Sequence, residues 1–223
     1  MMLFTLFVSS SVCSTIVFGK FVELNFFDFF KMSTPAGTLI YPFSFLISDI
    51  ITELYGKEKA RRIVPASLLA NCFVVCAFWI INSIPATSFS LVTQDDFHKV
   101  FVLSGAAFFC SSVAFFISQR LDITIFHAIK VLTKSRVLWL RNNVSTIIAQ
   151  IVDTTVFFGL IYALGVASIE AITKIYFATL LLKIIMAVIE TPLFYLGVFL
   201  LKDKSSKEKE IDEHSLSNLE FVK

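Results

Sequence analysis

Charged residues are scarce in this sequence, and their scarcity excludes an ordinary soluble globular protein. Lys, Arg, Asp and Glu make up 16% of the 223 residues, whereas roughly 25% is usual in soluble domains. Apolar residues reach 57% and include 26 Phe, which is more apolar surface than a single soluble core of this size can bury. The composition predicts an integral membrane protein, and the net charge of +2 indicates no nucleic-acid partner.

Several chemical motifs are scarce as well. With only seven Gly the sequence has no Gly-rich phosphate-binding loop, and its three His are too scattered to predict a metal site. The four Cys lie inside apolar runs, where we expect them to pack as small apolar side chains. No serine has a His or Asp partner at a membrane depth that would suit catalysis. We therefore expect no catalytic residue, no metal ligand and no cofactor.

Long apolar runs are what the sequence has instead. Six of them approach the roughly 20 residues that a helix needs to cross a bilayer. Because backbone polar groups in lipid must be bonded internally, each run is expected to be a helix. The first has no basic leader and is interpreted as a retained membrane helix, not a signal peptide. The predicted helices cover residues 2–19, 38–55, 63–84, 100–118, 143–166 and 172–201.

Lys and Arg are distributed unevenly between the two sides of these helices. Fourteen of the 19 follow the second helix, lie between the fourth and fifth helices, or follow the sixth. Four lie on the opposite side, and Lys183 lies within the sixth helix. The positive-inside rule then places both termini in the cytoplasm. We expect residues 119–142 to form a cytoplasmic loop with a short interfacial helix. Residues 1–201 would be a six-helix transmembrane domain, and residues 202–223 a charged, disordered tail.

The second predicted helix carries two acids inside an apolar run. A charge at mid-bilayer costs at least about 2.5–3.5 kcal/mol, so such residues normally face the bundle interior and are paired or functional. Asp49 and Glu53 are four residues apart and share one face. Glu53 lies within a turn of the cytoplasmic end and is interpreted as an interfacial ion-pair residue, whereas Asp49 is interpreted as functional. The candidate partners of Glu53 are Arg61, Arg62 and Arg141.

A polar stripe follows one face of the fifth predicted helix for more than three turns. Its members, which fall within about 100° of one another on a helical wheel, are Asn142, Asn143, Thr146, Gln150 and Asp153. Amide side chains offer both donors and acceptors. They could hold helices together or line a cavity, and the acid in the stripe favours the cavity.

The sixth predicted helix carries one base and one acid on the same face, Lys183 and Glu190, seven residues apart. Lys183 and Asp153 lie at similar depths measured from their helix ends, so we predict that they pair. Such a pair could act on a substrate or only specify the fold. The acids in the three helices outnumber this lysine, so at least one acid is expected to hold a proton or to be satisfied by a ligand. Pro192 is the expected kink site.

These motifs, in this order, resemble the signatures of the queuosine precursor transporter family, formerly grouped with vitamin uptake transporters. The resemblance rests on YPFSFLISDIITELYGKEKARR at 41–62, on RNNVSTIIAQIVDTTVFF at 141–158, and on Lys183 with Thr191, Pro192 and Tyr195. Each motif is weak alone, but three in order on six helices of this size are specific. The resemblance covers nearly all of the chain up to residue 201.

The resemblance implies a multi-pass protein of the bacterial inner membrane that imports 7-deazapurines for the tRNA nucleoside queuosine. These are 7-cyano-7-deazaguanine, 7-aminomethyl-7-deazaguanine and queuine. Two further readings stay open: a substrate-capture subunit of an energy-coupling-factor transporter, and an intramembrane enzyme acting through buried acids. The expected partners are the nucleobase and the lipid bilayer, and a homo-oligomer is left open.

Two sets of residues follow as predictions. For substrate binding or translocation they are Asp49, Asn143, Gln150, Asp153, Lys183 and Glu190. For structure or gating they are Glu53, Arg61, Arg141, Asn142, Thr146 and Pro192. A carboxylate, from Asp49 or Glu190, would accept the N–H and amino donors of a deazaguanine edge. An amide, from Gln150 or Asn143, would bind the neighbouring carbonyl, with Phe or Tyr rings stacking on the base.

Overall fold

A computed structural model describes residues 2–18, 20–26, 30–102 and 105–220 of the chain. Helices dominate the described residues, and one short hairpin interrupts them. The elements are α1 Met2–Ile16, β1 Phe21–Phe26, β2 Phe30–Pro35, α2 Gly37–Tyr55, α3 Lys57–Asn82, α4 Gln94–Phe97 with a π-helical turn at His98–Val102, α5 Gly105–Leu132, α6 Leu138–Ala163 and α7 Ile169–Glu220.

The helix α2 lies at the centre of the bundle. It contacts α1, α3, α5 and α7, and 67% of its apolar stretch is buried, the largest share among the candidate membrane spans. It ends at Gly56, whose φ of 87° is a conformation that residues with a Cβ rarely adopt. Because α2 is enclosed on several sides, its polar side chains face other helices rather than lipid.

By length and composition, five described helices could cross a membrane: α2, α3, α5, α6 and α7 as far as Lys202. The first predicted span corresponds to α1, an apolar helix of 15 residues. At 1.5 Å per residue it is roughly 22 Å long, shorter than the roughly 30 Å hydrocarbon core. The prediction of a helical membrane protein is confirmed, whereas the sixth span and the cytoplasmic termini stay predictions.

The predicted loop at 119–142 is wrong over most of its length. The helix α5 continues through Leu132, so only residues 133–137 connect it to α6. Gln119 and Asp122 interrupt the apolar run and suggested the end of a helix, yet both are fully buried. Polar residues within a membrane helix are tolerated when they face neighbouring helices. The longer α5 brings Asp122 into the core of the bundle.

A β-hairpin that the sequence analysis did not predict joins α1 to α2. Its strands pair antiparallel from Phe21 with Pro35 to Phe26 with Phe30, and the Ala36 N–H donates to the Lys20 carbonyl at 2.6 Å. Because α2 begins directly after it, the hairpin lies at the end of the bundle opposite the end of α2 that is rich in basic residues. We call these the hairpin end and the basic end.

The last helix is longer than predicted. α7 continues without a break past residue 201 to Glu220, into the segment for which the sequence predicts disorder. Pro192 lies inside this helix. The division into a membrane domain of residues 1–201 and a tail of residues 202–223 stays a prediction, and residues 221–223 lie outside the described part of the chain.

Candidate functional site

Polar side chains fill the interior of the bundle at three levels between the hairpin end and the basic end. The upper level consists of Tyr41, Ser118, Asp153 and Lys183; the middle level of Asp49, Asp122, Thr146 and Glu190; the lower level of Glu53, Lys130 and Arg141. On α2, α6 and α7, seven or eight residues separate the upper from the middle level. That spacing corresponds to about 10–12 Å along a helix.

The upper level centres on an ion pair between α6 and α7. Lys183 Nζ lies 2.5 Å from Asp153 Oδ2, so the predicted pair is present, and both side chains are buried. The other carboxylate oxygen of Asp153 accepts from the Tyr41 hydroxyl at 2.6 Å and from the Ser118 hydroxyl at 3.0 Å. Four helices, α2, α5, α6 and α7, therefore meet at a single carboxylate.

A small cavity adjoins the upper level from the hairpin end. Its volume is about 40 Å³. Among the side chains that line it are Phe18, Pro35, Thr38, Asp153, Thr179 and Lys183. The ion pair is thus reached from the hairpin side, whereas the middle-level acids are not among the residues lining this cavity.

The middle level is a cluster of three buried acids. Asp49, Asp122 and Glu190 are exposed by only 1%, 0% and 4%. The Asp122 and Asp49 carboxyl groups lie near one another, and Glu190 is near enough to act on Asp49 electrostatically. A bond between two carboxyl groups requires a proton on one of them, because an ionised carboxylate only accepts. Thr146 donates to Asp49 Oδ2 at 3.2 Å.

Many polar atoms around the middle level are buried without a hydrogen-bond partner. These atoms are Asp49 Oδ1, both carboxylate oxygens of Asp122, Glu190 Oε1, Asn142 Oδ1, and both amide atoms of Gln150. Buried polar atoms in folded proteins are nearly always bonded to protein or water, so each exception needs a reason. A concentration of them on α2, α5, α6 and α7 is typical of a site that receives a polar ligand or water.

The lower level closes the basic end with a second ion-pair group. Glu53 Oε2 lies 2.7 Å from Arg141 Nη2 and 3.0 Å from Lys130 Nζ. The Arg141 guanidinium also lies 5.5 Å from the centre of the Phe126 ring. Of the three partners considered for Glu53, the structure thus selects Arg141. Arg61 instead donates to Thr124 Oγ1 at 2.9 Å.

The Asn143 amide, unlike the buried Gln150 amide, is bonded within the protein. Asn143 is only partly buried, and its Nδ2 donates to Thr191 Oγ1 at 2.9 Å and to the Trp139 carbonyl at 2.9 Å. The Thr191 hydroxyl also lies 3.2 Å from Asn143 Oδ1. Asn143 therefore joins α6 to α7, whereas the amide of Gln150 is buried and unbonded.

Sequence reasoning missed Asp122, Ser118 and Tyr41. The signal for the first two was the extension of α5: Ser118 and Asp122 are four residues apart and share a face with Phe115 and Phe126, a helical period that continues past the predicted helix end. Tyr41 lies eight residues before Asp49, on the same side of α2. Its role depends on which helix faces it, which a single sequence does not give.

Comparison with known proteins places the chain among membrane transporters. The model of the family described as "Putative vitamin uptake transporter" matches residues 35–197, a region that contains every residue of the three levels. The chain belongs to this family. Together with the apolar helices, membership identifies a multi-pass inner-membrane transport protein of the vitamin uptake transporter family.

Several relatives of this member of the vitamin uptake transporter family have more specific names. A "Probable queuosine precursor transporter" of Bacillus subtilis is 30% identical over 83% of the chain and 79% of that protein. A protein of the same name from Haemophilus influenzae is 26% identical over 64% of the chain, and the "Queuosine precursor transporter" of Escherichia coli is 28% identical over 56%. The matches span 58% and 53% of the latter two proteins. No solved structure matches the chain significantly.

Proposed function

We propose that this protein imports 7-deazapurine precursors of queuosine across the inner membrane. The names of its relatives support this substrate class. The structural observation that carries the proposal is the middle level, where several buried acceptor atoms, among them Asp49 Oδ1 and Glu190 Oε1, have no hydrogen-bond partner. A ligand rich in N–H donors would satisfy them.

The edge of a deazaguanine complements Asp49. The base presents a ring N–H and an amino group side by side, and a carboxylate can accept from both. Asp49 holds one oxygen in a hydrogen bond from Thr146 and leaves the other unpartnered. A neighbouring amide would donate to the base carbonyl, and Gln150 is the better candidate because the Asn143 amide is already bonded to Thr191.

An aromatic surface lies one turn from this carboxylate. Phe45 is fully buried on α2, four residues from both Tyr41 and Asp49, and its ring centre lies 5.4 Å from that of Tyr41. Side chains four residues apart lie on the same face of a helix. We propose Phe45 as the ring on which the base stacks, between the upper and middle levels.

The two ion-pair groups would act on either side of the substrate. The Asp153–Lys183 pair adjoins the cavity at the hairpin end, and the Glu53–Arg141 pair closes the basic end. For the substrate to pass each ion-pair group, the partners in that group must separate, first at one end of the bundle and then at the other. Arg61, Asn142, Thr146 and Pro192 are proposed to support this framework rather than to bind the base.

A feeding experiment tests the function. The protein is expressed in a bacterial host that can neither make nor import queuosine precursors, and each of the three deazapurines is supplied in the medium. Queuosine in the host tRNA is then measured by mass spectrometry. We expect restored queuosine with at least one precursor. Absence of queuosine with all three, with the protein confirmed in the membrane, would refute the proposal.

Reconstitution of the purified chain in liposomes separates a carrier from a capture subunit. A carrier takes up labelled deazapurine by itself, whereas a capture subunit binds it and needs an added ATPase module for uptake. We expect uptake by the chain alone, with or without self-association in the bilayer.

A further inference from the structure

The described cations in the core are already engaged at the upper and lower levels. Lys183 pairs with Asp153, and Arg141 and Lys130 pair with Glu53. Within the described residues, the ion pairs include none to Asp49, Asp122 or Glu190. The charged groups acting on Asp49 are two further acids. The middle level therefore carries a surplus of carboxyl groups over cations.

A second observation indicates that a ligand belongs there. Gln150 and Asn142 lie four residues on either side of Thr146, and hence on the face of α6 that contacts Asp49. Both are at least nine-tenths buried, and both amide atoms of Gln150 and the amide oxygen of Asn142 have no hydrogen-bond partner. The unbonded amides and the unpaired acids thus surround the same part of the core.

A single neutral base would not satisfy all of these groups. Its N–H and amino donors occupy one carboxyl group, which leaves the other two without a counter-charge in the described part of the core. Each buried carboxyl group without a cation must hold a proton or carry an unpaired charge, and the unpaired charge is costly, so a ligand that brings a positive charge is favoured there. A protonated amine supplies that charge with several N–H donors, whereas a nitrile is only an acceptor and faces the carboxylates unfavourably.

We infer that the middle level selects deazapurines whose 7-substituent carries a protonated amine, with Asp49 binding the base and Asp122 and Glu190 binding the ammonium group. This inference rests on the proposed function, since it names the preferred members of the same substrate class. It also assigns a binding role to Asp122.

A matched pair of substrates tests the selection. 7-Aminomethyl- and 7-cyano-7-deazaguanine share the base and differ in the charge of one substituent. The purified chain is placed in liposomes, and uptake of labelled 7-aminomethyl-7-deazaguanine is measured. Each unlabelled compound is then added as a competitor. Because hydrogen bonds to charged groups are the strong ones, we expect the amine to inhibit at a concentration roughly tenfold or more below that of the nitrile.

Two variants connect the selection to the named acids. Asp122→Asn and Glu190→Gln are each expected to reduce the amine-to-nitrile preference toward equality. The ratio of the two inhibitory concentrations reports selection even if total uptake falls. A general folding defect would lower uptake without changing this ratio. The matched control Glu58→Gln removes an exposed acid at the start of α3 and is expected to leave the ratio unchanged.

The outcomes separate this inference from the proposed function. Equal or stronger inhibition by the nitrile, or an unchanged ratio in both acid variants with normal membrane levels, would overturn the inference while deazapurine transport stands. Absence of uptake of labelled 7-aminomethyl-7-deazaguanine by the wild-type chain would overturn the inference, and absence of queuosine with all three precursors in the feeding host would overturn the proposed function as well.

Discussion

Lys183 Nζ and Asp153 Oδ2 lie 2.5 Å apart in the interior of the bundle and join α7 to α6. Both side chains are buried, and the second oxygen of Asp153 is bonded to Tyr41 on α2 and Ser118 on α5. Removing one partner of such a pair leaves an uncompensated charge, whereas removing both does not.

The first prediction therefore concerns the Asp153–Lys183 pair. Lys183→Met is expected to destabilise the protein by roughly 3–5 kcal/mol, and adding Asp153→Asn should restore part of that loss. The measurement is a double-mutant cycle on thermal unfolding in detergent, with uptake assayed in parallel. A cycle without coupling would contradict an energetic link between the two residues.

The second prediction concerns Asp49. Asp49→Asn keeps the size of the side chain but replaces an acceptor oxygen with a donor amide, so it should clash with the N–H donors of the base. The amide oxygen can still accept one bond, so one bond to a charged group is lost, at about 1.5–3 kcal/mol, which corresponds to a roughly ten- to hundredfold loss of uptake. The assay is queuosine formation in the feeding host, with membrane level checked by immunoblot.

Asp95→Asn is the matched control for this substitution. Asp95 is exposed near the start of α4, so the same chemical change there should leave uptake at the wild-type level. Normal transport by Asp49→Asn would reject Asp49 as the base-binding residue.

The third prediction distinguishes the two amides of the polar stripe. Gln150→Leu should reduce uptake about tenfold without lowering thermal stability, because neither amide atom of Gln150 is bonded in the protein. Asn143→Leu should instead lower stability by roughly 1 kcal/mol, since it removes the bonds to Thr191. The opposite pattern, with Gln150→Leu unstable and Asn143→Leu inactive, would exchange their roles.

The fourth prediction concerns the lower level. Arg141→Gln is expected to cost close to 3 kcal/mol, the low end for a broken buried pair, because Lys130 still faces Glu53. Lys130→Gln should cost about 1 kcal/mol or less, since the Lys130 side chain is 24% exposed and that of Arg141 only 3%. Thermal unfolding of the two purified variants checks the order, and equal losses would contradict it.

The fifth prediction concerns the orientation in the membrane. Leu91→Cys and Arg136→Cys, both at exposed connections and in a background without the native Cys, should react differently with a membrane-impermeant maleimide on intact cells. We expect Leu91→Cys to be labelled directly and Arg136→Cys only after permeabilisation. Labelling of Arg136→Cys from outside would invert the predicted topology.

The polar stripe on α6 could be predicted from the sequence because its residues recur with the period of an α-helix. The wheel positions of Thr146, Gln150 and Asp153 follow from their spacing alone, and all three are buried as expected. The pairing of Asp153 with Lys183 was predicted because the two residues lie at similar distances from the ends of their helices. Both inferences needed only the geometry of single helices.

Other features depend on contacts between segments and were not predicted. Gln119 and Asp122 lower the local hydropathy, so the apolar run alone placed the end of α5 too early. They remain helical because the surrounding helices enclose them, which is a tertiary effect. The sequence between the strands at Phe21–Phe26 and Phe30–Pro35 likewise has no strong turn signal.

The volume of the cavity beside Asp153 and Lys183 bears on how tightly a substrate is held. The cavity, about 40 Å³ in volume, is lined by none of the middle-level acids, so a base bound at Asp49 needs space that this cavity does not provide. Under the proposed function, the conformation described here competes with the one that binds the base, and the apparent dissociation constant exceeds the intrinsic constant by the inverse of the competent fraction. Substitutions that loosen the helix contacts around Tyr41 would then strengthen apparent affinity while weakening the resting fold.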